Sequence, residues 1–136
     1  MIFFNKKAKQ NVINNYVNDD INDSAYGGFM VSKNVCANRP IRYTYREKSS
    51  NENLNGWTIY SCDDTQEYVN NPDNFVILSA TSINKINPLI LKIFDAPYGT
   101  DLCWVYDKQG NFTNFYDLKN DKDTTLEEIL NRNSIS

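Results

Sequence analysis

The stretch IRYTYR, residues 41–46, alternates in a way that decides the fold class. Tyr43 and Tyr45 fall on one face of an extended chain, and the two arginines and the threonine fall on the other. A period of two is typical of a half-buried β-strand, because successive side chains of a strand point to opposite faces. The stretch therefore predicts one strand of a sheet.

Other short strands are predicted on both sides of this stretch. In the run WTIYS the side chains of Trp57 and Ile59 face alike, and the polar run before it, residues 48–55, predicts a flexible loop. The remaining strand candidates are residues 29–32, 74–78, 102–106 and 112–115, the last two joined by a hairpin-type turn.

Short helices are predicted between the strands. An acid with Gln or Glu three residues later is a capping signature, so residues 63–68 predict the start of a helix with Asp as its N-cap. Further helical segments are predicted at residues 81–87, 88–94 and 124–131. Strands and helices that do not strictly alternate predict an α+β fold, with a mixed and mainly antiparallel sheet and short helices packed on it.

The length of 136 residues and the 40% hydrophobic content fit one globular domain. Val12, Ile13, Tyr16 and Val17 recur at helical spacing, so residues 1–24 predict a helical or flexible N-terminal extension. Residues 25–136 are then the single α+β domain, and Trp57 and Trp104 are its first core candidates.

The cysteines and the apolar runs predict a cytoplasmic protein. Cys36, Cys62 and Cys103 are odd in number and widely spaced, which argues against a disulfide framework and against a zinc site. We expect each of them in or near the core, as a small apolar residue in a reducing compartment. The N-terminal apolar run is too short for a signal peptide, and no stretch is long enough for a membrane span.

The chemistry open to the chain is narrow because it contains no histidine. A serine or cysteine triad that depends on histidine is excluded, and no phosphate-binding glycine motif is present. Carboxylate chemistry stays open: Asp63, Asp64 and Glu67 could share a helix start and hold Mg²⁺, or act as an acid and base. The same acids also stabilise a helix N-terminus without any chemistry.

Charge is distributed unevenly along the chain. Residues 1–48 contain eight Lys or Arg and four Asp or Glu, a net +4, and residues 49–136 contain six and thirteen, a net −7. Residues 49–84, here called the acidic segment, contain no Lys or Arg but five acids: Glu52, Asp63, Asp64, Glu67 and Asp73. Such a segment can repel nucleic acid and attract a basic protein partner. The alternative is a solvated acidic loop and helix start without a partner.

Several blocks of the sequence, taken together and in order, resemble the immunity protein 33 family. The blocks are residues 32–35, 43–47, 56–64, 67–75 and 97–100, within a family-like core of about 29–104. One departure is the turn Cys62-Asp63-Asp64, where the family usually has Gly-Asp-Glu. The resemblance implies a bacterial α+β protein that neutralises a polymorphic toxin, with no established catalytic residue, metal or cofactor to carry over. A purely structural role is the alternative for the positions it shares: Gly56, Pro72 and Gly99 as turns, and Trp57, Tyr68 and Phe75 as core.

The first functional hypothesis is therefore an immunity-type protein that binds a cognate protein toxin, such as a basic nuclease, without catalysis. The acidic segment would steer the toxin, and two aromatic residues would anchor it. The expected partner-binding residues are Trp57, Asp63, Asp64, Glu67, Tyr68 and Asp73. No nucleic-acid partner, membrane partner or cofactor is expected, and the oligomeric state stays open.

Two other functions stay open. A carboxylate-dependent enzyme or metal-binding domain would bring Asp63, Asp64 and Glu67 together in a cleft with Arg46 or Tyr43. A structural accessory domain of a larger assembly would need no such cleft.

Overall fold

One sheet of 7 strands organises the computed structural model, which describes residues 21–135 of the chain. The strands are β1 (Gly28–Ser32), β2 (Ile41–Arg46), β3 (Leu54–Ser61), β4 (Phe75–Leu78), β5 (Asp101–Tyr106), β6 (Phe112–Asp117) and β7 (Lys122–Thr124). Their order across the sheet is β4-β1-β3-β2-β5-β6-β7. Only β1 and β3 are parallel; every other neighbouring pair is antiparallel.

Short helices connect the strands. They are α1 (Asp23–Tyr26), α2 (Lys33–Cys36), α3 (Gln66–Val69), a 3₁₀ turn (Pro72–Asn74), α4 (Ala80–Ile86), α5 (Leu89–Lys92) and α6 (Leu126–Ile135). The mixed sheet with short helices confirms the predicted α+β class. No helix among residues 21–135 has the length and apolar character needed to cross a bilayer.

The core lies on one face of the sheet. Along β3 every second side chain is buried, and Trp57 and Ile59 are at most 1% exposed. Helices α2, α4, α5 and α6 each contribute a buried residue to the same cluster, namely Val35, Ala80 and Ile83, Ile90, and Ile129. The predicted core positions of Trp57 and Trp104 are confirmed, at 1% and 0% exposure.

The opposite face of the sheet, here called the open face, receives no core helix from the described residues. Helix α3 contributes nothing to the buried cluster. Its Gln66 and Val69 instead line a shallow depression of about 160 Å³ with Tyr43 and Tyr60 on the open face. The described helices therefore cover one side of the sheet and leave most of the tyrosine-bearing side accessible.

An arginine fastens the core face at one end of the sheet. The guanidinium of Arg46 donates to the carbonyls of Asn55, Phe94 and Ala96 at 2.8 to 3.0 Å. It also lies over the rings of Phe94 and Tyr98, at 5.0 and 4.7 Å from their centroids. Because this cation binds carbonyl oxygens and ring faces, it ties β2 to β3 and to the segment after α5.

Several element boundaries differ from those predicted. Strand β3 begins at Leu54, within the predicted polar loop, because Leu54 already pairs with Gly28 of β1, three residues before the register with β2 begins at Trp57. The N-cap of α3 is Thr65, whose Oγ1 accepts from the Tyr68 amide at 3.1 Å, so the predicted Asp cap is wrong. The short strand β7 was not predicted, and the last helix begins only after it.

The three cysteines differ in their exposure. All three cysteines are free thiols, but Cys36 and Cys62 are exposed, so the expected core position is wrong for both. Burial raises the pKa of the Cys36 and Cys103 thiols, which makes each less reactive than a free cysteine. The N-terminal helix predicted from Val12, Ile13, Tyr16 and Val17 lies outside the described residues.

Candidate functional site

Asp64 holds the turn after β3 together. Its Oδ1 accepts from the Ser32 hydroxyl at 3.0 Å and from the Asn34 amide at 2.8 Å, and its Oδ2 accepts from the Ser61 backbone N–H at 2.9 Å. Ser32 and Ser61 are buried, at 0% and 2% exposure. The carboxylate therefore satisfies donors from β1, α2 and β3, two of them on buried residues, and removing it would leave them without that partner.

Asp63 points away from this turn and forms an ion pair with Arg39. The two side chains are 42% and 56% exposed, so water screens the pair and its contribution to stability is small. The hydrogen bond to Asp63, and then the negative charge of Asp63, raise the pKa of Arg39 above its ordinary value. The two neighbouring aspartates therefore differ: the Asp64 carboxylate is hydrogen-bonded within the fold, and the Asp63 carboxylate lies at the surface.

The remaining acids of this region are exposed. Glu67 lies in the first turn of α3, and Asp73 lies in the 3₁₀ turn that follows. Tyr68 is half-buried, and its carbonyl accepts from the Asn74 side-chain amide at 2.8 Å, which fixes the link between the two turns. Asp63, Glu67 and Asp73 lie at the same end of the sheet, and we call these three acids the acidic rim.

Trp57 belongs to the core and not to this rim. Its ring is 1% exposed, and its indole N–H donates to the Phe94 carbonyl at 3.1 Å. So little of Trp57 is accessible that it cannot anchor a partner in this structure, and it is not part of the contact surface proposed below.

The acids do not converge in the way that a catalytic or metal site requires. Asp63 pairs with Arg39, Asp64 binds the turn, and Arg46 binds backbone carbonyls elsewhere. Asp64 does border the depression that Tyr43 and Tyr60 line. Within the described part of the chain, no group of three or more Cys, Asp or Glu side chains is placed to hold a metal ion.

Of the open-face tyrosines, only Tyr43 is predicted in a site, and only in the alternative carboxylate cleft. Tyr45 and Tyr60 lie on neighbouring strands, with their hydroxyl oxygens 3.2 Å apart and their ring centroids 5.7 Å apart. Burial, and then the hydrogen bond to Tyr45, raise the pKa of Tyr60. The alternation of residues 41–46 placed Tyr43 and Tyr45 on one face, but no local signal indicated that this face stays uncovered.

Comparison with known proteins identifies the family. No curated protein and no solved structure matches the chain. The model of the immunity protein Imm33 domain matches residues 29–116, from β1 to β6, and this range includes every predicted site residue. Since the match covers more than half of the 136 residues, the chain belongs to the Imm33 immunity protein family.

Proposed function

We propose that this chain neutralises a cognate toxin by binding it, without catalysing a reaction. Membership of the Imm33 immunity family is the observation that carries the proposal. An immunity protein acts as an inhibitor, and an inhibitor needs a stable complementary surface and no reaction chemistry.

The acidic rim supports a basic toxin, such as a nuclease, as the partner. Glu67 and Asp73 are exposed, and residues 49–84 supply no Lys or Arg to neutralise them. A toxin that binds nucleic acid presents a basic surface, because it must approach phosphates. Opposite charges on two proteins speed their encounter, and salt weakens this effect.

The first prediction concerns a toxin domain that we expect a neighbouring gene to encode, produced as an inactive variant. We expect it to bind the wild-type chain tightly, and the association rate to fall about tenfold or more between about 50 mM and 500 mM salt. The substitution Glu67→Lys should lower the association rate at low salt by about tenfold and change the dissociation rate little. Stopped-flow fluorescence measures both rates.

A matched control is Glu127→Lys. Glu127 is also exposed and also lies in the first turn of its helix, so both reversals impose the same loss at a helix N-terminus. If both variants slow association equally, net charge and not the acidic rim steers the partner. If the wild-type chain neither binds this toxin domain nor restores growth of cells that express the active toxin, the proposed function is wrong.

A further inference from the structure

Cross-strand pairing arranges the side chains of the open face in two rows. Residues directly opposite each other in a sheet share a face, so the register fixes each row. The first row is Ile77, Met30, Thr58, Tyr45 and Asp101, and the second is Tyr60, Tyr43, Cys103, Tyr116 and Asp123. The two rows form a continuous surface that runs across the sheet from β4 to β7.

The surface is aromatic and internally ordered. The Phe75 ring packs against Tyr60 with centroids 5.6 Å apart, and Tyr60 packs against Tyr45 at 5.7 Å. Tyr43 is 39% exposed and Ile77 is 57% exposed. Aromatic residues held in place before binding lose little conformational entropy in a complex, and tyrosine is enriched in protein interfaces.

Shallow depressions follow the same face. Besides the one beside Tyr60, depressions of about 250 and 260 Å³ lie on either side of Tyr45 and Glu47, which line both. Met30 and Thr58 border the first, and Asp101 borders the second. Shallow hollows between aromatic side chains suit the protruding side chains of a protein better than they enclose a small molecule.

The two rows contain two carboxylates, Asp101 and Asp123, and no lysine or arginine. Glu47 adds a third acid at the border. Burial, and then the negative charges of Asp117 and Glu47, raise the pKa of Asp101, which is consistent with a negative potential there. The positive groups nearby are Lys48 at the edge of the first depression, Arg46 and Lys119 at the second, and Arg42, whose guanidinium lies 5.8 Å from the Tyr43 ring centroid. The guanidinium of Arg46 is already bound to backbone carbonyls.

We infer that the open face is the surface that contacts the toxin, and that the toxin presents apolar side chains flanked by lysine or arginine to it. This inference rests on the proposed function and adds to it the location of the contact. A second copy of this chain fits the face less well, because two open faces would bring like charges together without cations in the rows to match them.

The test introduces charge at Ile77, which is exposed on the open face. We expect Ile77→Lys to weaken the affinity for the same inactive toxin domain at least tenfold, and Ile77→Glu to weaken it clearly less, because the partner is basic. Tyr43→Ala should raise the dissociation rate at least fivefold. Isothermal titration calorimetry and stopped-flow fluorescence measure these effects, and circular dichroism with thermal melting checks that each variant is folded.

The control is Ala25→Lys, an apolar-to-lysine change at an exposed position of α1, whose Tyr26 packs against the core on the covered side. It should leave the affinity unchanged. Should Ile77→Lys and Tyr43→Ala bind as the wild type does, the open face is not the contact surface, although the proposed function would stand. If Ile77→Glu weakens binding more than Ile77→Lys, the partner is not basic at this point. A wild-type dimer that Ile77→Lys dissociates would assign the face to a second copy and overturn the inference.

Discussion

A single glycine, Gly56, allows the main chains of β3 and of the residue after β2 to approach closely. Gly56 has φ of +94°, and a Cβ placed on it would lie 2.3 Å from the carbonyl oxygen of Glu47. The Glu47 amide donates to the Gly56 carbonyl at 3.0 Å, so β2 and β3 are pressed together at this point. Only glycine combines the positive φ with the space that this approach requires.

At the residue scale we predict that Gly56→Ala destabilises the fold by about 3 kcal/mol or more, since it adds a backbone clash to the strain of a positive φ. The matched control is Gly110→Ala. Gly110 has φ of +87°, but a Cβ there would meet nothing within 4 Å, so we expect only about 1 kcal/mol. Urea unfolding of both variants measures the difference, and equal losses would show that the approach to Glu47 is not close.

At the scale of elements, a tyrosine hydroxyl binds the start of β2, where the pairing with β3 is irregular. The register between β2 and β3 shifts between Ile41 and Tyr43, which marks a bulge at the start of β2. The hydroxyl of Tyr106, on β5, donates to the Ile41 carbonyl at 2.7 Å and so closes this irregular end. Burial raises the pKa of Tyr106 from an ordinary value of 10.0 to about 12.

We therefore predict a specific loss of stability at high pH. Because the pKa is raised in the folded state, the unfolded chain releases this proton first, and the free energy of unfolding falls as the pH rises from about 10 to about 12. The substitution Tyr106→Phe should cost about 1 kcal/mol at neutral pH, through the lost hydrogen bond, and should make this alkaline fall less steep. Urea unfolding at several pH values measures both effects; an unchanged alkaline slope in the variant would contradict the assignment.

At the scale of the whole molecule, the sheet has a central strand and two unequal edges. Strand β3 spans 8 residues and pairs with β1 on one side and β2 on the other, whereas β7 spans 3 residues and pairs only with β6 in the described structure. The buried side chains of Trp57 and Ile59 add core contacts to the central strand. Local opening should therefore be least frequent at β3 and most frequent at the edges.

Hydrogen exchange followed by mass spectrometry tests this order. We predict that peptides from residues 57–61 exchange close to the rate of global unfolding, and that peptides from residues 122–124 exchange at least about a hundredfold faster. Slow exchange at residues 122–124, comparable with that of β3, would mean that β7 is held by contacts other than its pairing with β6.

The sequence by itself determined six of the 7 strands, the α+β class and the buried tryptophans, because alternation and turn residues are local signals that neighbouring side chains already contain. It also indicated the family, because the sequence blocks shared with the family, and their order along the chain, can be recognised without a structure. It could not indicate that Asp64 is occupied inside the fold, because Ser32 and Asn34, which hold it, lie 32 and 30 positions away. The tertiary structure alone decided which face of the sheet residues 21–135 leave uncovered, because that depends on where the helices pack. Tyr43 and Tyr45 thus lie on an accessible surface because the described helices pack on the other face, and residues 41–46 alone do not indicate this.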